Sequence, residues 1–205
     1  MALDRRKLKR GLDRVAGVDP AIAKALAVAG YPAPRVRDRG YGTLLRTIVG
    51  QQVSVAAASS IWAKLEGALG EGCPAKKLLK ASEDELRSLG LSRQKQGYAR
   101  SLAQHVLDGS LDLMDLPSED EAAIAQLTQV KGIGRWSAEI YLLFAEGRPD
   151  VWPAGDLAVQ VGLGRILGLA DKPTEKETRA LAEAWSPWRS SVALFTWHVY
   201  NSAAL

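Results

Sequence analysis

Leu127-Thr128-Gln129-Val130-Lys131-Gly132-Ile133-Gly134-Arg135-Trp136-Ser137-Ala138 is the stretch on which the reading of this chain turns. An apolar helical run enters Gly-Ile-Gly. A second one, with Ala138, Ile140, Tyr141, Leu142, Leu143 and Phe144, leaves it at once. Two glycines permit a turn too tight for side chains. They also let an anion approach bare backbone N–H groups at the start of the following helix. The ordinary reading is a tight helix–helix connection, since glycine at helix ends is common. The apolar flanks, together with Arg135 and Ser137, favour a helix-hairpin-helix at about 121–146, with Ile133 as the plug between its helices. Such an element holds a nucleic-acid backbone without reading its sequence.

Outward from the hairpin the chain reads as helix after helix. Leu44, Leu45, Ile48, Val49, Val53, Ile61, Trp62, Leu65 and Leu69 fall close to a helical stripe over 43–69, which Gly50 is expected to break. Ser82-x-x-Glu85, Ser118-x-x-Glu121 and Thr174-x-x-Glu177 match the capping box, in which side chains satisfy the first free N–H groups of a helix. A final helix from about Trp188 to Ala203 is apolar nearly all round and is expected to be buried. Runs rich in Gly, Pro or Asp place loops at 30–42, 70–75, 108–117, 147–155 and 171–173. With no alternating run to suggest a sheet, the expected class is all-α.

The composition is globular, with 47% hydrophobic and 24% charged residues in 205. A net charge of +4 permits a polyanionic partner without requiring one. The densest basic run, Arg5-Arg6-Lys7-Leu8-Lys9-Arg10, reads as a solvated terminus or helix face, with electrostatic help toward DNA as the second reading. Cys73 is the single cysteine, which removes an intramolecular disulfide and a thiolate metal site. With only His105 and His198, a multi-histidine metal site is removed too. No apolar segment approaches the ~20 residues of a membrane span, and no secretory signal pattern is seen. The expectation is a soluble intracellular protein without a membrane partner.

Three further segments carry candidate chemistry. In Trp152-Pro153-Ala154-Gly155-Asp156-Leu157-Ala158-Val159-Gln160, Asp156 sits where a loop becomes a helix. It suits a helix cap. Downstream of a DNA-gripping hairpin, it also suits a carboxylate that stabilises positive charge on a deoxyribose or orients water. Six tryptophans accompany only two phenylalanines. Trp62 and Trp197 read as core. Trp136, just after the turn, and Trp188, after Pro187, read as rings able to stack on an extruded base, a cationic one most strongly. Val49-Gly50-Gln51-Gln52-Val53-Ser54 is either a polar bend between helices or a loop whose tip fills the hole left by an extruded base.

Together these segments resemble the helix-hairpin-helix (HhH-GPD) superfamily of DNA glycosylases, most closely the 3-methyladenine DNA glycosylase II (AlkA-like) branch. The likeness runs from about Thr43 to Tyr200 through IVGQQVSVAAA, VKGIGRWSAEIYLLF, VWPAGDLAVQ and WSPWRSSVALFTWH. It implies one two-lobed helical domain over 1–205. One lobe would take 1–42 with 150–205 and the other 43–149, with no room for the N-terminal sheet domain of larger members. It places Gln52 at the wedge that enters the DNA stack. The carbonyls of Thr128, Val130 and Gly132 would face a structural Na+ or K+ that bridges to a phosphate, the only cofactor implied. DNA-backbone contacts would come from Gly132, Gly134, Arg135, Trp136 and Ser137, and the base pocket would be lined by Trp136 and Trp188. Aligned without gaps, the family's catalytic aspartate falls on Gly155, and the neighbouring Asp156 is assigned the role. The bifunctional relatives carry a Schiff-base lysine where this chain has Trp136, and Lys131 lies on the wrong side of the turn to replace it.

The function this implies is a monofunctional glycosylase that hydrolyses alkylated purines such as 3-methyladenine and 7-methylguanine out of duplex DNA in base excision repair. It would need no obligate protein partner, and would act in the cytoplasm with a bacterial chromosome or in a eukaryotic nucleus. The alternatives at this stage are a non-catalytic helix-hairpin-helix module that binds damaged or abasic duplex, and a helical protein-interaction scaffold.

Overall fold

The computed structural model describes residues 3–202, and among these every regular element is helical. In chain order they are α1 (Arg5–Ala16), α2 (Pro20–Ala29), α3 (Tyr41–Gly50), α4 (Val55–Leu69), α5 (Ala75–Lys80), α6 (Glu83–Ser88), α7 (Arg93–Leu107), α8 (Asp120–Leu127), α9 (Arg135–Tyr141), α10 (Leu157–Leu167), α11 (Glu175–Leu181) and α12 (Arg189–Asn201). A π-helical turn at Leu142–Glu146 follows α9, and a 3-10 turn at Ala182–Trp185 follows α11. The expected end of the last helix at Ala203 lies outside the described residues.

The chain divides into two compact units, one of residues 1–36 with 142–205, the other of 37–141. Local bonds explain where these boundaries fall. The Gly40 N–H donates to Tyr141 Oη at 2.8 Å and Arg39 donates to the Met114 carbonyl at 3.1 Å, so the stretch before α3 belongs with 37–141. Arg148 pairs with Glu146 at 2.8 Å, and the Ser190 N–H donates to the Pro149 carbonyl at 3.0 Å, which ties 146–149 to α12.

In the discontinuous unit, α10 and α12 cross closely because Gly162 has no side chain. A Cβ there would stand 2.2 Å from the Thr196 carbonyl oxygen. α1 meets the start of α12 in the same way, since a Cβ on Gly11 would fall 2.3 Å from Ser191 Oγ. The core around these crossings holds Leu8, Leu12, Val159, Leu163, Val192, Phe195 and Val199, all buried.

In the continuous unit, the expected break after Gly50 is present. α3 stops there, and Ser54 caps α4 by accepting the Ala57 N–H at 3.2 Å. Leu44, Leu45, Ile48, Leu65, Leu78, Leu86, Leu91 and Leu102 form the core. Of the three expected capping boxes, Thr174/Glu177 forms in full and Ser82 caps α6 through the Glu85 N–H. The third is corrected. α8 is capped by Glu119, whose carboxylate accepts the Ala122 N–H at 3.2 Å, while Glu121 turns to Arg135.

Candidate functional site: a glycine hairpin and a capped carboxylate

The hairpin is built on α7. α8 ends at Leu127 and α9 starts at Arg135, and Leu127, Val130 and Ile133 point inward, with Ile133 only 3% exposed. Ile133 is therefore the apolar plug the pattern called for. The turn closes by the Ile133 N–H donating to the Val130 carbonyl at 3.0 Å. From α7, Ser101 Oγ accepts the Lys131 N–H at 3.1 Å. Tyr98 lies under Gly132 so closely that a Cβ would sit 2.3 Å from its ring. Gly132 also has φ +84°, a conformation that costs other residues about 1–2 kcal/mol. Two independent internal constraints thus require glycine at 132.

Gly134 differs. Its φ is ordinary, and a Cβ would meet nothing within 4 Å. No internal contact or left-handed backbone demands glycine there. Arg135 and Trp136 beside it are exposed, Trp136 by 43%, whereas Ser137 is buried. The Arg135 guanidinium is engaged with Glu121 and with Glu139, the latter at 2.9 Å. Hydrogen bonding to Glu121 raises its pKa above the ordinary value, against an opposing cost of burial.

The carbonyls of Thr128, Val130 and Gly132 belong to this turn. Gly132 accepts Gln51 Nε2–H at 2.9 Å and Val130 accepts the Ile133 N–H. A carbonyl oxygen has two lone pairs, and neutral oxygens are the donor type hard cations prefer. Among the described residues no cluster of three or more His, Cys, Asp or Glu could hold a metal ion.

The Gln51–Ser54 loop joins the hairpin through Gln51, the neighbour of the residue that the resemblance puts at the wedge. Gln52 itself is exposed at the tip with φ +53°. A non-glycine residue in that region is uncommon and strained. The loop is steadied from below by Lys95, which donates to the Val49 carbonyl at 2.8 Å, and burial lowers the pKa of that ammonium group.

In the other unit, Asp156 caps α10. Its Oδ1 accepts the Val159 N–H at 3.0 Å and the Trp197 indole N–H at 3.1 Å. The Gly162 crossing creates this contact by bringing α12 against α10, so that Trp197 reaches the first turn. Trp197 is buried, as expected of core, and also touches Phe144 with ring centroids 5.3 Å apart. Its second task, orienting the carboxylate, has no local signature. Gly155 is exposed, and Asp156 half-buried, held by two donors at the positive end of a helix.

Trp188 is half-buried at the entry to α12. Asp150 fixes its two flanks, accepting from Ser186 Oγ at 2.7 Å and from Arg189 Nε at 2.9 Å and Nη2 at 2.8 Å. Burial pushes the Asp150 carboxyl up, but the bonds from Arg189 and Ser186 outweigh it and leave the pKa below the ordinary 3.8. Trp152 is core, edge-on to Trp185 at 5.5 Å, with its N–H on the Thr178 carbonyl. No helix among the described residues is long and apolar enough to cross a membrane.

Residues 45–187 match the model of the HhH-GPD superfamily base excision DNA repair proteins. The chain is 30% identical over 165 residues to the Bacillus subtilis protein YfjP, covering 77% of this chain and 58% of that protein. It is 30% identical over 190 residues to DNA-3-methyladenine glycosylase 1 of Schizosaccharomyces pombe, covering 89% of this chain and 83% of that one. The chain thus spans little more than half of the Bacillus relative and most of the yeast one. Among solved structures, the S. pombe 3-methyladenine DNA glycosylase Mag1 in complex with abasic DNA superposes with a TM-score of 0.83 at 26% identity, over 96% of this chain and 98% of that one. The chain therefore belongs to the HhH-GPD superfamily of base excision DNA repair proteins.

Proposed function

We propose that the chain is a monofunctional DNA glycosylase that releases alkylated purines, 3-methyladenine and 7-methylguanine among them, from duplex DNA. The observation that carries this reading is the Asp156 carboxylate, held on one oxygen by a backbone N–H and an indole N–H. A carboxylate with fixed orientation stabilises an oxocarbenium-like sugar without reorganising as charge develops. Water adds at the sugar carbon as the glycosidic bond breaks, the bonding pair leaves with the base, and the proton given up by the water passes to the Asp156 carboxylate and on to solvent. A base alkylated on a ring nitrogen is cationic and departs neutral, so it needs little help from a general acid.

Trp136 and Trp188 are the stacking rings, strongest toward a cationic base. Gln52 at its strained tip is the wedge that replaces the extruded nucleotide, offsetting part of an unstacking cost of a few kcal/mol. The N–H groups near Gly134 to Trp136 hold a phosphate, with the open approach at Gly134 admitting it. The carbonyls of Thr128, Val130 and Gly132 would hold Na+ or K+, which supplies positive charge toward that phosphate. The lyase step needs an amine at the sugar. Trp136 offers none, and this supports hydrolysis alone.

The test is incubation with dimethyl sulfate-treated duplex. Free methylated bases should appear, strands should stay intact until alkali is added, and borohydride should trap no covalent adduct. Tight binding of abasic duplex with no released base would instead identify a non-catalytic binding module.

A further inference from the structure

The basic run of α1 has an exposed surface that is sorted. Arg6, Arg10 and Arg14 recur every four residues, so they share one side of the helix, and all three are exposed. Lys9 lies on a different side. It is paired with Asp13 at 2.7 Å, and Asp13 also accepts from Tyr31 Oη. The other acid at this end, Asp4, is taken up in capping the helix through the Lys7 N–H at 2.9 Å. Asp4 also feels the charge of Arg6, whereas Arg10 and Arg14 make no ion pair among the described residues.

One arginine of the row meets a particular neighbour. The backbone of α1 meets the start of α12 at Gly11, where a Cβ would lie 3.3 Å from Trp188 Cε3. One residue earlier, the Arg10 guanidinium carbon stands 5.8 Å from the centre of the Trp188 ring. The middle arginine of the row therefore stands beside the side chain proposed above to stack on the extruded base.

We propose that Arg6, Arg10 and Arg14 form a second DNA-backbone contact, separate from the hairpin, which tracks phosphates beside the flipped nucleotide. This rests on the glycosylase reading, since Trp188 is what brings DNA to α1. The row rises about 12 Å along the helix. One strand of B-DNA carries a phosphate every ~3.4 Å, so three guanidinium groups can face separate phosphates. Such contacts add affinity without sequence preference and suit an enzyme that must scan for its lesion.

The experiment measures affinity for a duplex containing an abasic analogue across a range of salt concentrations, with base release followed in parallel. The variants carry Arg6, Arg10 and Arg14 all changed to Gln, or all to Lys. Glutamine is a good helix former and all three sites are exposed, so the fold is kept. A control of equal charge loss carries Lys24→Gln, Lys76→Gln and Lys176→Gln. Each phosphate contact contributes about 0.9 to the slope of log affinity against log salt. The glutamine variant should lose roughly 2–3 from that slope and bind at least tenfold more weakly at moderate salt. The lysine variant and the control should keep the slope. A glutamine variant whose slope falls no further than the control's overturns the proposal, even with base release normal. Failure of the unaltered chain to bind duplex or release base overturns the glycosylase reading as well.

Discussion

The Trp197 indole N–H donates to Asp156 Oδ1 at 3.1 Å, which joins the buried helix α12 to the carboxylate at the N-terminus of α10 within one unit. The indole ring is packed by Phe144, so the donor has little freedom to move away. Trp197→Phe keeps most of the apolar packing and deletes the donor. Catalysis is sensitive to small losses of orientation, with a 1 Å displacement costing up to about a hundredfold. We expect Trp197→Phe to lower the single-turnover rate of base release roughly tenfold or more, with duplex affinity nearly unchanged. Equal rates for the two proteins would remove Trp197 from the account.

The two hairpin glycines separate folding from binding. Gly132→Ala must adopt a left-handed conformation and push Tyr98 away, and should cost at least about 1–3 kcal/mol in chemical denaturation. Gly134→Ala meets no internal obstacle, so its stability should lie within about 0.5 kcal/mol of the parent. Its affinity for duplex should nevertheless fall. A Gly134→Ala protein that binds duplex normally would mean that no backbone approaches there.

Gln52 makes the opposite trade. Its φ of +53° costs about 1–2 kcal/mol relative to glycine. Gln52→Gly removes that strain and also removes the side chain proposed to fill the stack. Thermal denaturation should show a more stable protein and an assay on damaged duplex a slower one. A variant that gains stability with no loss of rate would show the tip to be a bend and nothing more.

The pH dependence of stability should carry the mark of Asp150. Its pKa is depressed in the fold, so its contribution is present above the unfolded value near 3.8 and is lost as pH falls through the lower folded value. Thermal melts between pH 5 and pH 2 should show Asp150→Asn less stable than the parent at pH 5, with the gap closing toward pH 2. A gap that stays constant over that range would mean the Arg189 pair contributes nothing through charge.

Much of this was legible in the residues. The hairpin could be read because Gly-Ile-Gly between two apolar runs restricts the backbone to few choices, and Ile133 is buried where that pattern put it. Asp156 could be read as a cap because capping is local, and the α3–α4 break followed from Gly50. What escaped was whatever depends on distant partners. Tyr98 and Ser101 support the turn from a helix some thirty residues earlier. Trp197 looked like core because its donor role arises only from the Gly162 crossing. Gln51 was passed over because two adjacent glutamines give no hint which one turns inward. Ser118 failed as a cap for a local reason: Glu119 offers a competing carboxylate, and Glu121, the box's other half, finds Arg135 instead.

The central claim is that the Asp156 carboxylate drives base departure, and Asp156→Asn tests it most directly, since asparagine caps helices about as well as aspartate. Released 3-methyladenine and 7-methylguanine would be quantified under single-turnover conditions on methylated duplex, beside the melting temperature of each protein. The variant should melt with the parent and release base at least about a hundredfold more slowly. A stable variant with near-parental release would contradict it.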